Sequence, residues 1–96
     1  MLKDNQQKLF DAFYESTHAN EYLDTKTELL IGLASAIALN CYPCMKYYLM
    51  KAKENKIKKE EISEVMAKVM AVSAAQKKIQ AETVMQKFKI ELSDYR

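Results

Sequence analysis

The sequence predicts an all-α protein, and three observations carry that prediction. One glycine and one proline in 96 residues leave few places for tight turns. Ala, Leu, Lys, Glu and Met, all strong helix formers, dominate the chain between them. Apolar residues recur at three- and four-residue spacing in successive segments, which is the period of a helix with one buried face. No repeat, low-complexity tract or linker interrupts the chain, so residues 1–96 read as one domain. A chain this short is marginal if it buries apolar surface only against itself, so partners of its own kind are expected.

Each element follows from its own signals. Leu2, Leu9, Phe10, Phe13 and Tyr14 predict an amphipathic first helix over about residues 4–17, closed by the polar stretch STHANEY. Thr25 with Glu28 three residues later fits a capping box opening a second helix. The apolar run LLIGLASAIAL, Leu29 to Leu39, makes that helix the central one. It falls well short of the ~20 residues a membrane span needs. Pro43 suits the first turn of a third helix, where its missing N–H has no intrahelical partner, and that helix should run from about Pro43 to Glu54 with Asn55 as a left-handed terminator. A fourth starts near Lys59 or Glu60 and carries Ile62, Val65, Met66, Val69 and Met70 on one stripe. The small residues Ser73, Ala74 and Ala75 permit a break or a close approach. A fifth helix with Ile79, Val84, Met85 and Phe88 should end near Leu92, giving a bundle of about five helices.

The formal charge of +2 is too small for the concentrated basic face that nucleic-acid or membrane binding needs, so neither partner is expected. The locally basic KAKENKIKK, Lys51 to Lys59, reads as a solvated helix end and loop. The start MLKDNQQKLF is polar from its third residue and does not resemble a secretory signal, which predicts a cytoplasmic protein. There a close cysteine pair is more often catalytic or metal-binding than a staple.

That pair is Cys41 and Cys44 in NCYPCMKYY. Three readings stand side by side. In the redox reading the cysteines flank a helix start with Cys44 in its first turn, where backbone N–H groups and the helix dipole favour a thiolate, and the C-x-x-C spacing lets the sulfurs close a disulfide. In the metal reading they would be half of a zinc site, but four ligands are wanted and His18 is the only histidine. No metal within the chain and no cofactor is therefore expected. In the inert reading both thiols act as small hydrophobes in a core. Tyr42, Tyr47 and Tyr48 cluster round the pair and suit either an apolar substrate pocket or a subunit interface. His18, in ESTHANE, reads as an exposed helix end, with a base reaching the cysteines as the alternative. The methionines read as core or interface filler.

The stretch Asp24 to Glu61, DTKTELLIGLASAIALNCYPCMKYYLMKAKENKIKKEE, resembles the core of the carboxymuconolactone decarboxylase superfamily, and specifically its AhpD-like alkyl hydroperoxidase branch. Shared features are a Lys-Thr-rich helix start, a small-residue apolar helix running straight into C-x-x-C, a further helix, and an acidic start with E-E-I. The resemblance implies a helical protomer that assembles into a homo-oligomer, a trimer or hexamer. It implies that Cys44 attacks a small hydroperoxide or disulfide, that Cys41 resolves the product as a disulfide, and that an external thiol reductant restores the pair. The branch's proton relay adds a His four residues after the second cysteine and a Glu about a dozen before the first. Here Tyr48 stands at the His position, and Glu28 precedes by one residue the relay position, which is Leu29. One residue turns a side chain by about 100° on a helix, so helix register decides whether Glu28 faces the sulfurs. Tyr48 lies one turn beyond Cys44 and can donate a hydrogen bond to a thiolate, although an ordinary phenol with a pKa of ~10 is a poor base at neutral pH.

The implied site is therefore Cys41, Cys44, Tyr48 and Glu28, and the expected chemistry is thiol–disulfide exchange or thiol-dependent hydroperoxide reduction. The rival is a non-enzymatic oligomeric helical module whose inert cysteines pack and whose task is binding. Muconolactone decarboxylation is not expected, since that branch does not depend on a C-x-x-C pair.

Overall fold

The computed structural model describes residues 1–96 and contains four α-helices, α1 (Asp4–Ser16), α2 (Thr25–Ala38), α3 (Tyr42–Glu54) and α4 (Lys59–Lys87), then a 3-10 turn over Leu92–Asp94. The core lies where α2 meets α3, and α2 also packs on α4. Leu29, Leu33 and Ala36 recur at the four- and three-residue steps that keep them on one face of α2, and with Ala52 of α3 they are the buried residues. Leu33 has no exposed surface at all.

The second helix starts one residue earlier in its capping logic than the sequence suggests. Asp24, not Thr25, is the N-cap, and its carboxylate accepts from the Thr27 N–H at 2.7 Å. Those bonds hold the Asp24 carboxyl below its ordinary range. Glu28 thus falls fourth in the helix and outside any capping box, so its side chain is free for other partners. At the start of α4 the Lys58 N–H donates to Glu61 Oε2 at 3.2 Å, and the Glu61 N–H donates to the Lys58 carbonyl at 3.0 Å. Glu61 also pairs with Lys26, tying the start of α4 to the start of α2.

Three helices end in the same way, each with a non-glycine residue in the left-handed region: Asn40 at φ 58°, Lys56 at φ 56° and Lys89 at φ 53°. The N–H groups of Cys41, Ile57 and Ile90 donate back to the carbonyls of Ala36, Ala52 and Met85 at 2.9, 3.0 and 2.8 Å, the six-to-one bond of a Schellman motif. The left-handed terminator of α3 is therefore Lys56. Asn55, expected in that role, has φ −91° and instead donates its side-chain amide to the Lys51 carbonyl at 2.8 Å.

The expected break at Ser73–Ala75 is absent, and the fourth and fifth helices are one helix of 29 residues, about 43 Å long at 1.5 Å per residue. Alanine favours the helix interior, so nothing in that stretch stops it. The second half of α4 and its C-cap leave Ile79, Val84 and Phe88 exposed, and α1 likewise exposes Leu9, Phe10 and Phe13. The chain is open as a result. Its radius of gyration is 19.1 Å, against about 12.5 Å for a compact domain of this length. Its accessible surface is 8503 Å², against about 5,700 Å² for a compact monomer of this mass. No helix is long and apolar enough to cross a membrane.

Candidate functional site

The C-terminal motif of α2 delivers the cysteine pair. Asn40 reverses the chain, the Cys41 N–H bonds to Ala36, and Cys41 at once serves as N-cap of α3, its carbonyl accepting from the Met45 N–H at 2.9 Å. Pro43 fills the second helical position, where no N–H partner is missed, and Cys44 follows in the first turn. The Cα atoms of Cys41 and Cys44 are 5.2 Å apart and the sulfurs are joined in a disulfide. Both residues are half-buried.

They face a cavity of about 320 Å³ whose wall also includes Glu28 and Tyr48, so all four residues singled out from the sequence line one space. Glu28 faces this space while the next residue, Leu29, is buried in the core. Glu28 is the only carboxylate in the lining, which contains no Lys, Arg or His. Ile31, Leu39 and Leu23 supply apolar wall, and Tyr14 of α1 closes one side. Of the three tyrosines near the cysteines only Tyr48 lines the cavity. Tyr42 is 76% exposed, and Tyr47 packs edge-on against Tyr48 with ring centroids 5.0 Å apart.

Gly32 explains how Tyr48 fits. A Cβ at that position would collide with the edge of the Tyr48 ring, so the one glycine of the chain is what lets α3 lay its tyrosine against α2. Burial, then the neighbouring Tyr14, Glu28 and Tyr47, and hydrogen bonding with Tyr14 hold the Tyr48 phenol above its ordinary range. Tyr48 is consequently a neutral hydrogen-bond donor at physiological pH and does not take up protons.

His18 is not the exposed helix end that its sequence setting suggests. Its Nδ1 lies 3.5 Å from Glu28 Oε1, with 22% and 14% of the two side chains exposed. The ring meets Tyr14 edge-on at 5.0 Å and Tyr47 at 5.7 Å. The sequence signal for the Tyr14 contact was the four-residue spacing of Phe10, Tyr14 and His18, which places three rings along one side of α1 and its extension. Nowhere do three His, Cys, Asp or Glu side chains converge as a metal site would require.

A four-helix chain whose C-x-x-C pair caps one helix beside a carboxylate-lined cavity has clear kin. The model of the carboxymuconolactone decarboxylase family matches residues 6–87, and the chain belongs to that family. A crystal structure of a protein from Methanobacterium thermoautotrophicum has the same fold, with a TM-score of 0.74 and 25% sequence identity over 80% of this chain and 86% of that one. Among curated proteins no relative matches.

Proposed function

We propose that the chain is an AhpD-like dithiol oxidoreductase, active as a cytoplasmic homo-oligomer, in which Cys44 attacks and Cys41 resolves. One observation carries this reading: the bonded cysteines sit at a helix start and open onto a cavity that also holds a carboxylate and a phenol. In the reduced state Glu28 takes the proton of the Cys44 thiol, and the positive end of α3 stabilises the thiolate. The thiolate attacks the terminal oxygen of a hydroperoxide, the O–O bond breaks, and the alkoxide takes a proton from water and leaves as an alcohol. Cys44 is left as a sulfenic acid. The Cys41 sulfur attacks it, water leaves, and the disulfide of the structure forms. Two electrons pass from two thiols to the peroxide, and an external dithiol returns them by exchange. A small disulfide substrate enters at the same thiolate. Tyr48 donates a hydrogen bond to the developing charge in place of a histidine.

The open shape supports an oligomer. The surface in excess of a compact monomer is about 2,800 Å² per chain, the scale of obligate interfaces, and it carries the apolar faces of α1 and α4. With those faces covered, residues 1–96 make one domain of the assembly.

The test is a thiol count. Reduced protein should lose both thiols on exposure to tert-butyl hydroperoxide, Cys44→Ser should lose none, and Cys41→Ser should accumulate a sulfenic acid trapped by dimedone. Reduced protein that keeps both thiols against excess hydroperoxide and against a small disulfide would instead favour the non-enzymatic binding module with inert cysteines.

A further inference from the structure

The mechanism above leaves His18 unused, yet it is the one charged or chargeable partner that meets Glu28 in an ion-pair contact. It stands outside the cavity lining, so it does not touch a molecule bound there. It reaches Glu28 from the loop between α1 and α2, and that loop is fixed: the His18 N–H donates to the Glu15 carbonyl at 3.1 Å and the Thr17 hydroxyl to the Tyr14 carbonyl at 2.6 Å. The ring is held between Tyr14 of α1 and Tyr47 of α3. The other groups facing this pocket of side chains are Tyr48, against Tyr47, and Lys51, whose Nζ lies 5.8 Å from the Tyr47 ring centre.

We propose that His18 is the positioning residue of Glu28 and the exit for its proton, so that the carboxylate lining the cavity serves the cysteine pair only with the imidazole behind it. The proposal rests on the reading of Glu28 as the thiol base. Tyr48 does not replace Glu28 in that role, being held in its neutral form. A carboxylate with a second partner on its far side is fixed in orientation and can pass on what it receives. The balance is one proton in and one out. The Cys44 thiol gives its proton to Glu28, Glu28 gives one to Nδ1 of the imidazole, and Nε2 releases one to water across the part of the ring that remains exposed. The imidazole returns to neutral and Glu28 to carboxylate. No electrons move in these steps.

The experiment is single-turnover oxidation of the reduced full chain by tert-butyl hydroperoxide from pH 5 to pH 8, in wild type, His18→Gln, Glu28→Gln and the double variant. Loss of the base should slow Glu28→Gln on the order of 10²-fold at pH 8. For His18→Gln the wild-type-to-variant rate ratio should grow as pH rises and reach about tenfold at pH 8, since only a neutral imidazole accepts the proton. The double variant should be no slower than Glu28→Gln, because the two act as a unit. Added imidazole should restore rate to His18→Gly. A rate ratio for His18→Gln that stays the same across the range marks a purely structural effect and overturns the proposal, as does full additivity in the double variant. Wild-type protein that oxidises while Glu28→Gln oxidises equally fast overturns it by removing the base. Wild-type protein that never loses its thiols overturns the parent reading instead, and this one with it.

Discussion

Replacing Gly32 with alanine puts one methyl where the Tyr48 ring already is. The ring cannot yield by a small shift, because the clash is with its Cδ1, Cε1 and Cζ atoms and not with a flexible tip. Two responses remain. Tyr48 swings into the cavity of about 320 Å³ and fills part of the space beside the cysteines, or α2 and α3 part and loosen the packing of Leu29, Leu33, Ala36 and Ala52. Overpacking of this kind costs about 1–3 kcal/mol. Alanine in a helix interior returns roughly 1 kcal/mol relative to glycine. The expected net effect is a loss of up to about 2 kcal/mol, with a second consequence that stability alone does not report: slower oxidation of the cysteine pair. Urea denaturation gives the first number, and thiol loss under hydroperoxide gives the second. The double variant Gly32→Ala/Tyr48→Ala separates this account from a general weakness of α2, since removing the ring should erase the cost of the methyl. If Gly32→Ala proves about 1 kcal/mol more stable than wild type and oxidises at the wild-type rate, the reasoning that α3 needs this glycine is wrong.

Leu33→Ala, at the most buried position of the core, should cost about 3 kcal/mol, within the usual span for a buried leucine, as read by denaturant midpoint; a loss below 1 kcal/mol would move the core elsewhere. Lys56→Gly and Lys89→Gly relieve left-handed backbone and should each stabilise by about 1 kcal/mol, while glycine at an ordinary helical site such as Lys68 should do the opposite. Stability should be flat near neutrality and fall at both ends of the pH range. Hydrogen bonds from Thr27 and from Lys26 hold Asp24 and Glu61 below their ordinary range, so their contribution is present above the unfolded carboxyl value of about 4 and is lost as pH falls through the folded values. Lys26 and Lys78, raised chiefly by hydrogen bonds to Glu61 and Glu82, contribute below the unfolded value of about 10.4 and lose that contribution as pH rises past it. All four are open to water, so salt should shrink both limbs, and Glu61→Gln should match wild type in acid but not at pH 7. Finally, Phe13→Glu and Phe88→Glu should shift sedimentation toward the free chain if the open faces are covered in an oligomer, and a wild-type protein that sediments as a monomer at micromolar concentration would remove that reading.

Some of this was legible in the amino acids. The apolar period of α1, the hydrophobic run of α2 and the placement of Pro43 each depend on a neighbour or two in sequence, and each element formed where its pattern lies. Asp24 was missed as the cap because Thr25 and Glu28 also satisfy the capping-box pattern, and only backbone geometry chooses between adjacent caps. The terminators Lys56 and Lys89 carry no glycine signal; their conformation follows from the bonds of Ile57 and Ile90 back to the preceding turn. Tyr48 and the cysteines could be grouped from their spacing on one helix. The approach of His18 to Glu28 could not, since it depends on how a loop between two helices closes and on a register that differs by one residue from the simplest reading.

The Ala36 carbonyl is a small detail with a wide reach. It belongs to a buried residue of α2, and it is the acceptor that pins the backbone of Cys41. The backbone that carries one sulfur of the pair is thereby tied by a hydrogen bond to the buried face of α2. A bulkier or smaller neighbour there would be transmitted as an altered spacing of the thiols. Evolution of this chain cannot retune its packing and its sulfur chemistry as separate dials.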